Sequence, residues 1–274
     1  LYAEPILKSI FRAATFEKSD KDLEAKIEEA VSLIEKSQKP SLILGSAARR
    51  RLDLPWRELK IPIATTAAAK GLLSEDAPYS AGIVTGEIKE LSPETAILEN
   101  SDLIIGIGMR SQELLNPLAL KANFINLDAV NSKSVILEAF PNLKAKNWGD
   151  DLIAKWREQV RAYLKNDWLP AAIFYRLNEL KRNFDLCLVP DVGLFAYVGE
   201  IVWQAKTPKE FLGSNNGRFM GTAIPTAIGA ALARPEQKFI CAFGDGGARP
   251  YLSEIKLAVQ EQLPILFILM SDGG

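Results

Sequence analysis

Two apolar runs near the C-terminus constrain this chain more than any other feature. Phe239-Ile240-Cys241-Ala242-Phe243 runs into Gly244-Asp245-Gly246-Gly247, and Ile265 to Met270 runs into Ser271-Asp272-Gly273-Gly274. Each run is short, continuously apolar and bounded by glycine, the pattern of a strand buried on both faces. Between them Leu252, Ile255, Ala258 and Val259 recur at helical spacing around Glu254. Strand, helix and strand make a parallel βαβ unit. Asp245 and Asp272 then sit just past two strand ends, the edge at which open α/β sheets bind ligands. Two carboxylates there suit a hard cation, and the adjacent glycines let backbone N–H groups approach a phosphate. The residues alone therefore predict a site for a divalent metal and a phosphorylated cofactor.

The rest of the chain repeats the alternation. Residues 1–19 have no clean period and read as a connecting segment. Leu23, Ile27, Ala30, Val31 and Ile34 give an amphipathic helix over 20–36. Strands are predicted at 40–45, 61–65, 102–109 and 123–127, with helices at 47–59 (interrupted at Pro55), 92–100, 132–140 and 149–164. A second unit follows, with a helix at 171–182, a strand at Leu186–Val189 and an Ala- and Gly-rich helix at 224–233. The predicted fold is α/β, with two doubly wound parallel sheets, a Rossmann-like unit over 20–165 and a second over 166–274. Gly106-Ile107-Gly108 follows a strand, but Met109, Arg110 and Ser111 break the dinucleotide fingerprint. These glycines, and Gly45, are read as packing at strand ends, and Arg49-Arg50-Arg51 as a solvated helix face.

Composition narrows the class. The chain of 274 residues is 48% hydrophobic with a net charge of −1, which excludes a strongly basic nucleic-acid binder. No apolar run is long enough to span a membrane. Cys187 and Cys241 lie in strand-like runs and are expected to be buried and reduced, in a cytoplasmic protein. There are no histidines, so a Ser-His-Asp triad and a His-ligated metal are excluded within this segment. The chain begins without methionine and stops just after a strand, so it reads as part of a longer protein.

The order Gly-Asp-Gly, helix, strand, acid resembles the cofactor signature of thiamine diphosphate (ThDP) enzymes. The second unit resembles their diphosphate-binding (PP) domain, of the acetohydroxyacid synthase and benzoylformate decarboxylase type. The first resembles their central domain, through Ala69-Lys70-Gly71, Ser74-Glu75-Asp76-Ala77-Pro78, Ala81-Gly82 and Ser101-Asp102-Leu103-Ile104. The resemblance implies residue roles. Asp245 would ligate Mg²⁺ with Asp272 and the carbonyl of Gly274. Gly246 and Gly247 would present N–H groups to the diphosphate, as would Gly193 and Leu194 after Asp191-Val192. Met220 would hold the cofactor in its bent form, its N–H and the carbonyl of Arg218 gripping the aminopyrimidine edge.

The sequence departs from the pattern in places. Gly247 replaces the usual Ser or Ala, Asp272 an Asn, and Arg218 a common Gly. Leu194-Phe195 lacks the usual polar groups. Residues associated with FAD are missing around Arg110, so FAD is not carried over. The implied activity is decarboxylation of a 2-oxo acid or carboligation, with no catalytic side chain in this segment. The activating glutamate would lie on a separate pyrimidine-binding domain, so this segment alone is expected to be inactive and the protein to be a homodimer or homotetramer. The alternative is a non-catalytic relative that binds a nucleotide or cofactor. A metal-dependent phosphatase using the two Asp residues leaves the Met220 segment unexplained.

Overall fold

The computed structural model describes residues 20–51, 54–86, 92–114, 116, 118, 121–127, 132–164, 169–213 and 218–271. The connecting segment expected over 1–19, residues 214–217, Asp272 and Gly274 lie outside them.

Helix α1 (Asp20–Lys36) precedes β1 (Pro40–Leu44), β2 (Ile63–Thr65), β3 (Ser80–Ile83), β4 (Leu103–Ile107) and β5 (Asn123–Leu127). All five strands are parallel, in the order β3-β2-β1-β4-β5. Helices α2 (Pro93–Ala96), α3 (Ser132–Ala145) and α4 (Asp150–Tyr163) complete the unit. Side chains alternate across a strand, so neighbouring residues serve opposite faces. Leu42, Leu44, Ile105 and Ile107 pack with Val31 and Ile34 of α1 and with Val135, Ile136 and Ala139 of α3. Ile43, Ala64 and Ile104 belong to the other core, with Ile153, Trp156 and Val160 of α4. The sheet is thus doubly wound, and its order reverses between β1 and β4.

The second sheet has the order β6-β7-β8, again all parallel, from β6 (Leu186–Pro190), β7 (Lys238–Gly244) and β8 (Ile265–Met270). Helix α7 (Ala223–Ala233) covers one face, where Ala223, Ile224, Ala227 and Ala231 meet Cys187, Val189, Phe239 and Cys241. Its alanines allow the close approach, whereas Gly229 faces open space. On the opposite face α5 (Leu169–Leu180) and α6 (Leu194–Val202) bring Phe174, Phe195 and Val198 against Leu188, Ile240 and Ala242. Short helices α8 (Asp245–Ala248) and α9 (Ile255–Gln260) link β7 to β8. Both cysteines are free and buried, and burial pushes the Cys187 thiol up to about 12.

The sheets share one core, since the cluster containing Ile43 and Trp156 continues to Leu188 and Ile240. The Ala69-Lys70-Gly71 phrase forms the joint. Lys70, fully buried, donates to Glu75 Oε1 at 2.6 Å and to the Glu200 carbonyl of α6 at 2.8 Å. The other Glu75 oxygen accepts the Ala205 N–H at 2.6 Å. Gly71, at φ 84°, lies against the Thr207 carbonyl, where a Cβ would stand only 2.4 Å away. Burial pulls Lys70 below the usual lysine range, and Glu75 opposes that shift.

Several elements differ from the expectations. In place of the helix expected over 47–59, the described residues form two 3₁₀ turns, Ser46–Arg51 and Trp56–Glu58. The first is too short to present a helix face, and Arg49 is part-buried in it, with Nε unpartnered. Strand β3 went unrecognised because Gly82 interrupts its pattern, yet a Cβ there would come within 2.5 Å of the Trp156 ring. Helix α6 was missed because its apolar run lacks a polar face.

Candidate cofactor site

The C-terminal ends of β6, β7 and β8 carry the candidate residues. Strand β6 ends in Asp191-Val192-Gly193, and Leu194 opens α6. Strand β7 ends at Gly244, and Asp245, Gly246 and Gly247 form the first turn of α8. Arg218, Phe219, Met220 and Gly221 lead into α7 from the same edge. Of the sequence-named residues, the structure brings together Gly193, Leu194, Arg218, Met220, Asp245, Gly246 and Gly247. Asp272 and Gly274 are outside the described residues, so of the three residues expected to hold a metal only Asp245 is described.

Asp245 is exposed, and among the described residues no hydrogen bond or ion pair engages its carboxylate. Met220 is 64% exposed, and its Sδ lies 3.8 Å from where a Cβ on Gly246 would stand. An exposed methionine beside a glycine turn departs from the usual burial of that residue. Phe195 packs between the glycines, with ring atoms 2.6 Å and 3.6 Å from notional Cβ atoms on Gly193 and Gly244. Its bulk explains why Leu194-Phe195 carries no polar group: Phe195 is core, and only Leu194 faces solvent.

Two buried carboxylates shape the site, and sequence reasoning gave neither its role. Asp191, 2% exposed, accepts the Gly221 N–H on both oxygens, at 3.0 Å and 2.8 Å. Its own N–H is bonded to the Ala242 carbonyl at 2.8 Å. The Asp191 carboxylate therefore fills the space beside Gly247, where a Cβ would stand 1.8 Å from Oδ2. A Ser or Ala side chain at 247 would therefore meet an occupied seat. Gly221 is constrained too, by φ 85° and by the Tyr251 ring 2.8 Å from its notional Cβ. Glu200, on α6, meets Arg218 in a bidentate pair, Nη1–Oε1 2.8 Å and Nη2–Oε2 3.0 Å. Burial pushes the Glu200 carboxyl up, and Arg218 opposes that shift. The usable signal was a lone Glu within an otherwise apolar helical run, since a buried charge demands a partner.

Among the described residues the edge of the first sheet is filled at its reversal point. Gly45 and Gly108, after β1 and β4, abut each other: a Cβ on Gly45 would stand 2.4 Å from the Gly108 carbonyl oxygen. These glycines pack at strand ends, as read from sequence. Glu113, 5% exposed, accepts the Ser46 N–H (2.9 Å), the Ser46 hydroxyl (2.5 Å) and the Thr66 hydroxyl (2.6 Å). A carboxylate of the chain itself thus takes the donors at the sheet's reversal point, where a nucleotide phosphate otherwise binds.

Fold and site together define a parallel α/β protein with a glycine-lined strand edge bearing a carboxylate unengaged among the described residues, and with a second parallel α/β unit whose reversal point is filled by its own Glu113. Residues 27–134 match the family described as thiamine pyrophosphate enzyme, central domain, and residues 191–274 match thiamine pyrophosphate enzyme, C-terminal TPP binding domain. The chain belongs to the thiamine pyrophosphate (ThDP) enzymes. It is 25% identical over 292 residues to a probable acetolactate synthase large subunit of Methanococcus aeolicus, covering 90% of this chain and 48% of that protein. A probable pyruvate decarboxylase of Schizosaccharomyces pombe is 27% identical over 300 residues, covering 98% and 52% respectively. Acetolactate synthase isozyme 1 large subunit of Escherichia coli is 25% identical, covering 91% and 49%. The chain spans about half the length of these relatives. Among the described residues no helix is long and apolar enough to cross a membrane.

Proposed function

We propose that the protein binds ThDP with Mg²⁺ and uses them to decarboxylate a 2-oxo acid, releasing an aldehyde or joining the acyl carbons to a second carbonyl compound. The observation that carries this reading is the exposed Met220 beside the Gly244–Gly247 turn, next to the unengaged carboxylate of Asp245. The donor set fits: carboxylate and carbonyl oxygens suit Mg²⁺, and side-chain-free backbone suits a diphosphate. Relatives named as acetolactate synthases and a pyruvate decarboxylase support a pyruvate-class substrate.

When bound, the cofactor supplies the electron sink that carbon–carbon cleavage next to a carbonyl needs. The chain's own residues bind and orient. Asp245, Asp272 and the Gly274 carbonyl hold the cation. Backbone N–H groups of Gly193, Leu194, Gly246 and Gly247 take the diphosphate. The Met220 side chain would support the cofactor's rings, and its N–H and the Arg218 carbonyl would hold the pyrimidine edge. We further assign 20–165 to a central domain and 166–274 to a diphosphate-binding domain, within a cytoplasmic homodimer or homotetramer. Glu113, seated among the donors of the first sheet, counts against the alternative in which the first unit binds a nucleotide.

The test is release of CO₂ from a panel of 2-oxo acids by the full-length protein. Turnover that requires both added ThDP and Mg²⁺ is the expected result. No turnover of any member at saturating cofactor would overturn the proposal.

A further inference from the structure

Helix α6 buries Phe195, Ala196, Val198, Gly199 and Val202, and among them the carboxylate of Glu200. A charge in such surroundings persists only when a partner compensates its lost hydration. Arg218 is that partner, and the side chains of the pair are 8% and 4% exposed. The guanidinium also lies over the Tyr197 ring, 4.9 Å from its centroid. Arg218 has φ 52°, a left-handed conformation that costs a side-chain-bearing residue free energy. The turn is therefore held by its side-chain partner, against the preference of its own backbone.

Three residues on, Gly221 gives its N–H to Asp191. The segment Arg218–Gly221 is thus fixed at both ends by buried carboxylates, Glu200 through a side chain and Asp191 through the backbone. Between the two anchors Phe219 and Met220 stand out, 66% and 64% exposed. The Glu200 carbonyl also accepts Lys70 Nζ from the first unit. One run of bonds therefore leads from the joint between the sheets to Met220.

We infer that Glu200 is a positioning residue: through Arg218 it sets the turn that places Met220 beside the Gly244–Gly247 edge, and so governs how tightly ThDP is held. This rests on the ThDP reading above.

The experiment uses the full-length protein, Glu200→Gln and the double variant Glu200→Ala/Arg218→Gly. The double variant removes both charges and lets a glycine adopt the left-handed turn. Trypsin must draw Arg218 out of its pair to cut after it. In Glu200→Gln without ligand, cleavage after Arg218, followed by mass spectrometry, should rise about tenfold or more, as expected for loss of a bidentate charge-assisted pair. The Kd for ThDP with Mg²⁺ should rise by a similar factor. In the double variant thermal stability should recover more than ThDP affinity does, a split that a merely structural role would not produce. Cleavage and Kd unchanged in Glu200→Gln, or affinity and stability recovering together in the double variant, would overturn the inference. If the unsubstituted protein binds no ThDP, the reading of the site fails and the cofactor role of Glu200 falls with it. The cleavage arm would still decide whether Glu200 holds the turn.

Discussion

Replacing Gly247 by Ser writes the residue common in this family into the chain, and the structure says it will do harm. A Cβ at 247 would stand 1.8 Å from Asp191 Oδ2 and 3.0 Å from its Cγ, far inside contact distance. Asp191 is 2% exposed and has nowhere to move without releasing the Gly221 N–H. Losing a hydrogen bond to a charged acceptor costs about 1.5–3 kcal/mol. Overpacking a closed site adds about 1–3 kcal/mol. Relief of the glycine's backbone entropy returns at most about 1 kcal/mol. The net loss is about 3 kcal/mol, a large share of a typical domain's stability. Urea unfolding of Gly247→Ser, Asp191→Ala and the double variant measures it. Because Asp191→Ala vacates the seat, the double variant should be about 2 kcal/mol more stable than the summed single effects. A Gly247→Ser protein within about 0.5 kcal/mol of the unsubstituted one, or strict additivity, would refute the steric argument.

Two further perturbations follow from the joint and from the start of β4. Lys70→Met leaves Glu75 facing the joint without its cation and should cost about 3–5 kcal/mol in urea unfolding, whereas an effect below about 1 kcal/mol would contradict its placement. Burial raises Asp102, but hydrogen bonds from the Ser37 hydroxyl and from the N–H groups of Gln38 and Lys39 outweigh it and hold its carboxyl below the usual range. A depressed folded value gives stability that is fully present above the unfolded value, about 3.9, and lost as pH falls through the folded one. The advantage of the unsubstituted protein over Asp102→Asn should therefore shrink on that acid limb, and parallel stability–pH curves would contradict it.

The order of elements was legible where residues are punctuated. Strands β1, β4, β6 and β7 are largely apolar runs closed by Gly or Asp, and β8 is an apolar run closed by Ser271. Asp245, Gly246 and Gly247 could be placed for that reason alone. What could not be read depends on partners distant in sequence. Nothing near Asp191 says that its carboxylate sits against Gly247, and nothing near Lys70 says that a lysine is fully buried between two sheets. Strand β3 was lost to a glycine whose reason is Trp156, and the turns around Pro55 mimic a helix in polarity while lacking its length. The Glu200–Arg218 pair belongs with these, since its partners lie 18 residues apart and the helix that carries Glu200 was not read from the sequence.

The most direct test of the central claim is calorimetric titration of the full-length protein with ThDP, with and without Mg²⁺, beside Asp245→Ala. Saturable binding that requires Mg²⁺ and is lost in Asp245→Ala is the expected result. Binding that ignores both the metal and the substitution, or no binding under any condition, would contradict the assignment of the β6–β8 edge as the cofactor site.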